Sequence, residues 1–179
     1  MARNIEIKAR VADLAALETT VAGLADEGPV VITQADTFFC AETGRLKLRD
    51  FLTRPASGEL IYYQRSDQTG PRASFYRRVV TDDPTALRDV LAAAQGINGR
   101  VEKTRRLYLV GRIRIHLDRV AGLGTFMELE VVLADDEPET AGQAEAQALM
   151  ATLDIDEDAL CTGAYVDMLG QQSVQGVSS

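Results

Sequence analysis

The stretch Arg45-Leu46-Lys47-Leu48-Arg49 alternates charged and apolar side chains with a period of two. That is the repeat of a β-strand, whose successive side chains point to opposite faces. The repeat returns along the chain. Ile5, Ile7 and Ala9 alternate with Asn4, Glu6, Lys8 and Arg10. Leu60 to Arg65 sets Ile61, Tyr63 and Arg65 on one side, and Val101 to Leu109 sets Lys103 beside Arg105. Arg112 to Val132 reads as two strands joined at Ala121-Gly122-Leu123-Gly124. The first puts Arg112, Arg114, His116 and Asp118 on one face, and the second does the same with Glu128 and Glu130. A chain patterned in this way forms half-buried strands with one charged and one apolar face.

Val30 to Cys40 and Ala73 to Val80 bring the expected strands to eight. Helices are expected in four places. Asp13 is a plausible N-cap for a stripe of Leu14, Leu17, Val21 and Leu24. Asp83-Pro84 opens a second helix, where proline suits the first position. Pro138 to Leu153 is a third, and a short segment through Tyr165 and Leu169 a fourth. Gly28-Pro29 is expected to close the connection after the first helix, and Gly70-Pro71 marks a turn. Residues 171–179 are small and polar and are expected to be a disordered tail behind a single domain at 1–170. Short turns favour antiparallel pairing. The expected fold is therefore α+β: an eight-stranded antiparallel β-barrel, closed or nearly closed, flanked by helices. Its polar faces line a lumen and its apolar faces meet the helices.

Composition narrows the setting. The chain has 179 residues, enough for one well-cored domain, and is 46% hydrophobic. No apolar run approaches the ~20 residues that cross a bilayer. The N-terminus runs straight into a strand, so no signal peptide is expected, and Cys40 and Cys161 are isolated. A reduced, cytoplasmic setting without membrane association is expected. The net charge of −8 argues against nucleic acid as a partner. A homodimer is admitted, the oligomeric state being otherwise open. Against 16 arginines there are only three lysines, Lys8, Lys47 and Lys103, each in the middle of an alternating strand.

The inward set expected from parity is Asn4, Glu6, Lys8, Arg10, Arg45, Lys47, Arg49, Arg65, Lys103, Arg105, Arg112, Arg114, His116, Asp118, Glu128 and Glu130. Ten lysines and arginines in one lumen require anions. A triphosphate fits, because arginine grips phosphate oxygens with paired hydrogen bonds and lysine supplies a point charge. Glu6, Glu128 and Glu130 can hold Mg²⁺ or Mn²⁺, which bind through a few carboxylates, water and phosphate oxygens. Glu128 and Glu130 taken alone would be an ordinary solvated strand face; the lysine strands around them change that reading.

The sequence resembles the CYTH superfamily, the triphosphate tunnel metalloenzymes, over roughly residues 3–169. The family's N-terminal E-x-E-x-K strand corresponds to Asn4-Ile5-Glu6-Ile7-Lys8, with the first glutamate replaced. Gly44-Arg45-Leu46-Lys47-Leu48-Arg49, Tyr63-Gln64-Arg65, Val101-Glu102-Lys103-Thr104-Arg105 and Glu128-Leu129-Glu130 follow in order. The ending Leu123-Gly124-Thr125-Phe126-Met127-Glu128-Leu129-Glu130 looks most like the class IV adenylyl cyclase branch. The resemblance implies metal binding by Glu6, Glu128 and Glu130. It implies triphosphate binding by Lys8, Lys47, Arg49, Arg65, Lys103, Arg105 and Arg114, with Lys8, Lys103 and Glu130 as the catalytic set. Asn4 offers a neutral oxygen where the family has an acid. Arg10, Arg45, Arg112, His116 and Asp118 have no fixed role; His116 is read as structural or substrate-contacting rather than as a general base.

Two reactions fit such a site. In a cyclase the ribose 3′-hydroxyl of ATP attacks the α-phosphate and pyrophosphate leaves. In a triphosphatase water attacks the terminal phosphate of an inorganic or organic triphosphate. The class IV cyclase-like reading stands slightly ahead on resemblance. A catalytically weakened nucleotide- or polyphosphate-binding module is the third reading, kept open by Asn4.

Overall fold

A computed structural model describes residues 2–54, 56–65 and 70–175. In chain order the elements are β1 (Ala2–Arg10), α1 (Leu14–Leu24), β2 (Glu27–Phe39), β3 (Arg45–Phe51), β4 (Gly58–Arg65) and β5 (Arg72–Thr81). There follow α2 (Pro84–Gln95), β6 (Ile97–Val110), β7 (Ile113–Val120), β8 (Gly124–Val132), α3 (Glu139–Thr152) and α4 (Tyr165–Gln175). The eight strands form a closed antiparallel barrel in the order β1-β5-β4-β3-β2-β6-β7-β8. Pairing of β1 with β8, from Asn4 opposite Val132 to Arg10 opposite Phe126, makes the closure.

The outer face of β1, β7 and β8 carries the main core. Ile5, Ile7, Ile115, Leu117, Met127, Leu129 and Val131 are almost fully buried there under Leu14, Leu17 and Val21 of α1 and Ala146, Leu149 and Met150 of α3. Gly142 lets α3 approach, since a Cβ at this position would lie 2.6 Å from Leu133 Cδ2. The helices start where side chains satisfy their free N–H groups. Asp13 accepts from the Ala15 and Ala16 amides at 3.1 and 3.0 Å, and Asp83 accepts from Ala86 at 2.9 Å, with Pro84 opening α2.

Two sequence expectations are corrected here. Gly28-Pro29 does not end the connection but lies inside β2, at a shift in register between Glu27 and Val30. A bulge tolerates proline's missing N–H, and Gly28 sits at φ 120° with the Leu107 carbonyl only 2.7 Å from where a Cβ would be. The helix α4 runs to Gln175, five residues into the segment expected to be disordered, and residues 176–179 lie outside the described residues. Among the described residues no helix is long and apolar enough to cross a membrane.

Candidate active site

The barrel encloses a cavity of about 420 Å³. Small-molecule sites span ~300–1,000 Å³. Asn4, Glu6 and Lys8 of β1, Lys47 and Arg49 of β3, Arg65 of β4, Lys103 and Arg105 of β6, Arg114 and His116 of β7, and Glu128 and Glu130 of β8 all face it. The reason is parity: register pairs Glu6 with Glu130 and Glu130 with Arg114, then Lys8 with Glu128 and Glu128 with His116. Residues opposed across an antiparallel pair share a face.

Three expected residues fall outside. Arg112 sits beyond the end of β7 and binds Glu137 and Glu145 on the exposed surface. Arg10 donates to the Leu123 carbonyl at 2.9 Å and lies over the Phe126 ring. Arg45 reaches Asp167 of α4 at 2.8 Å. Arg10, opposite Phe126, and Arg45, opposite Tyr63, keep the inward register but lie beyond the cavity at its filled end, whereas Arg112 precedes β7 and is not set by the ladder. Between the adjacent Arg77 and Arg78, it is Arg78 that lines the cavity, paired with Glu59 at 3.1 Å.

The chain supplies much of its own counter-charge. Asp36 of β2 accepts from Lys47 Nζ at 2.8 Å, Arg49 Nε at 3.0 Å and Gln34 Nε2 at 3.0 Å. Asp118 accepts from Lys103 Nζ at 3.1 Å, Arg105 Nε at 2.7 Å and Tyr165 Oη at 3.1 Å. Glu128 is held by Arg105 and lies 3.4 Å from Lys8 Nζ, and Glu6 takes Arg65 at 2.6 Å. Expecting every cation to await a ligand was therefore too simple. Even so, among the described lining residues nine cations face five carboxylates, six with the buried Asp118 behind them. The surplus is positive.

Burial and neighbours tune these groups. Burial pulls Lys8 and Lys47 down to about 8, against the pull of Glu128 and Asp36 respectively. Burial alone would raise the Asp36 and Glu128 carboxyls. Arg49 and Lys47 overcome it at Asp36, and Arg105, Lys103 and Lys8 overcome it at Glu128, leaving both well below the usual carboxylate range. Glu130 is raised, by burial and by the charge of Glu6. His116 is held neutral, its proton affinity lowered by burial and then by Arg105.

One end of the lumen is filled. Phe38, Val101, Phe126 and Tyr165 pack there, Phe126 against Tyr165 with ring centroids 4.9 Å apart. The segment leading into α4 enters the site directly. The Gly163 carbonyl accepts from Lys8 Nζ at 3.1 Å and from Arg65 Nη2 at 2.9 Å. Lys8 and Lys103 lie 3.9 and 4.9 Å from the centroid of the Tyr165 ring. Sequence reading missed Asp36, Gln34, Gly163 and Tyr165 as site residues. Asp36 left one trace, an aspartate within an otherwise apolar strand, where aspartate is disfavoured. Tyr165 left none, because its place depends on how α4 docks.

A divalent ion is implied by the carboxylates, and the residues present fit one. Glu128 and Glu130 bring oxygens toward a common point with His116, all donor atoms within 4.8 Å of one another. Asn4 is 3% exposed and its Oδ1 has no hydrogen-bond partner. A buried, unpartnered oxygen is costly and suits a cation.

A closed barrel with a cation-lined, carboxylate-bearing lumen is the class of fold this chain forms. A family model for the CYTH domain matches residues 2–165. The chain belongs to the CYTH domain family, whose triphosphate tunnel fold it adopts. It matches no curated protein in sequence. Among solved structures it is similar to a Pyrococcus horikoshii protein at 20% identity, with TM-score 0.80, covering 92% of this chain and 98% of that one. A candidate adenylate cyclase from Vibrio parahaemolyticus shares 19% identity with TM-score 0.72, covering 93% and 97%. A Hippeastrum protein described as having dominant triphosphatase activity shares 15% identity with TM-score 0.65, covering 96% of each chain. At these identities the likeness concerns the fold.

Proposed function

We propose that the protein is a divalent-metal-dependent enzyme that breaks a phosphoanhydride bond of a triphosphate, with hydrolysis the reaction its geometry supports best. The carrying observation is the excess of nine cations over five carboxylates in one lumen filled at its far end. A triphosphate entering this lumen displaces the internal carboxylates and Gly163 from Lys8, Lys47, Arg49, Arg65, Lys103 and Arg105. Arg114 closes on it beside Glu130, 3.6 Å away. These residues hold the phosphate chain extended and exclude bulk water, and catalysis of this class rests on positioning and charge stabilisation. Glu6, Glu128 and Glu130 would hold Mg²⁺ or Mn²⁺, with Asn4 a neutral neighbour. The bound ion supplies positive charge to the phosphate oxygens. Lys8, Lys103 and Glu130 are the catalytic set.

Hydrolysis asks only for this grip, the ion and a water molecule. Cyclisation of ATP asks in addition for a ribose hydroxyl held in line with the α-phosphate. That second reading is favoured by Ile32, Phe51 and Leu107, which offer an apolar lining where a nucleoside can rest. The third reading, a binding module with weakened chemistry, rests on Asn4. Incubation with tripolyphosphate or ATP and Mn²⁺, followed by ³¹P NMR, separates the three. Orthophosphate release is expected; cyclic AMP with pyrophosphate would establish the cyclase, and binding without turnover the module. A cytoplasmic setting and a small-molecule partner are part of the same proposal.

A further inference from the structure

Before a triphosphate releases Glu6 from Arg65, the donors already gathered in the lumen among the described residues are Glu128, Glu130 and His116. The Glu6 carboxylate is taken by Arg65 at 2.6 Å. The third donor beside Glu128 and Glu130 is His116, the only histidine of the chain. His116 is 5% exposed, and its Nδ1 makes no hydrogen bond. That atom lies 3.5 Å from Glu130 Oε1.

We propose that His116 is a direct ligand of the divalent ion, completing with Glu128 and Glu130 a mixed nitrogen–oxygen site that favours Mn²⁺ over Mg²⁺. The inference rests on the metal-dependent reading above and names the residue that sets its metal preference. Two ligand atoms each about 2.1 Å from one ion, at a right angle, stand about 3 Å apart. The 3.5 Å between His116 and Glu130 needs a small rotation to meet that, and donors as far as 4.8 Å apart in the group need a larger side-chain adjustment. The scaffold is rigid, because His116 and Glu128 are directly opposed in the β7–β8 ladder and Arg114 and Glu130 are opposed two residues on. Glu128 and Glu130 have lone pairs to spare, since a carboxylate offers about four acceptor positions. The nitrogen decides between these two ions: Mg²⁺ keeps its water and oxygen ligands, whereas Mn²⁺, though the weakest of the first-row transition ions at a mixed site, accepts an imidazole nitrogen more readily than Mg²⁺ does.

A single histidine makes the test direct. Protein free of any added histidine tag is loaded with Mn²⁺ and measured by pulsed EPR, once unlabelled and once with ¹⁵N-histidine. The expected result is a nitrogen coupling to Mn²⁺ whose frequency moves with the label. Bound Mn²⁺ with no nitrogen coupling, or a coupling indifferent to the label, overturns His116 as a ligand and leaves the triphosphate reading standing. Failure to bind Mn²⁺ overturns both. Calorimetry on His116→Gln, with circular dichroism to check folding, gives a second readout. Mn²⁺ affinity should fall by about tenfold or more while Mg²⁺ affinity changes less, bringing the two ions closer. An unchanged Mn²⁺ affinity overturns the assignment.

Discussion

Two lysines set how the lumen responds to pH. An ordinary lysine keeps its charge to about pH 10.4. Lys8 and Lys47 are pulled by burial to about 8, so each loses its charge as the pH rises through that value. Only the charged form attracts phosphate, and a bound polyanion raises the proton affinity again. Tripolyphosphate binding should therefore weaken as the pH rises through 8 and should take up protons there. Calorimetry in buffers of different ionisation enthalpy measures both. An affinity that stays level across this window contradicts the assignment.

Asp36 is the internal stand-in for a phosphate. It is 3% exposed and holds Lys47 and Arg49 together. Removing one partner of a buried ion pair typically costs ~3–5 kcal/mol, because the other charge is left uncompensated. Asp36→Asn should lower stability to urea by roughly that order, reduced by the partial exposure of the two cations. Saturating tripolyphosphate should then recover more stability in the variant than in the natural protein. Equal recovery in both would mean that the anion does not reach Lys47 and Arg49.

At the scale of elements, the packing of α4 on β6 decides the filled end of the lumen. Gly99 of β6 is where the two meet, and a Cβ there would fall 2.5 Å from Val166 Cγ2. Val166 is β-branched and cannot swing clear without moving the helix. Gly99→Ala should cost about 1–3 kcal/mol in stability, the usual range for overpacking. It should also displace the neighbouring Tyr165 from Asp118, Lys8 and Lys103. Limited proteolysis reads this out: cleavage within 165–175 should speed up relative to the rest of the chain. Unchanged cleavage would mean that α4 docks independently of that contact.

Across the whole molecule, the period-two pattern carried most of the fold. It located six of the eight strands and put Lys8, Lys47, Lys103, Glu128 and Glu130 on inward faces, because parity is a local property of a strand. Full closure was not legible, since joining β1 to β8 is a contact between strands far apart in the chain, which no local pattern records. Arg10 and Arg45 keep the strand parity but fall past the cavity, because parity gives the face and not the depth along the barrel, and Arg112 lies before β7 begins. Gly163 and Tyr165 stayed hidden because a helix from the C-terminal region brings them to the lumen. Asp36 was legible only as an oddity. Its partners, eleven and thirteen residues away on β3, appear once β2 and β3 pair.

The whole lumen can be tested as a single anion site by titrating tripolyphosphate into the natural protein, Lys47→Ala and Lys103→Ala in the calorimeter, with Mn²⁺ present. Hydrogen bonds to charged groups contribute ~1.5–3 kcal/mol, so each variant should bind at least about tenfold more weakly. The natural protein should bind a single tripolyphosphate. Equal affinity in all three proteins, or no binding by the natural one, would contradict a triphosphate-binding tunnel.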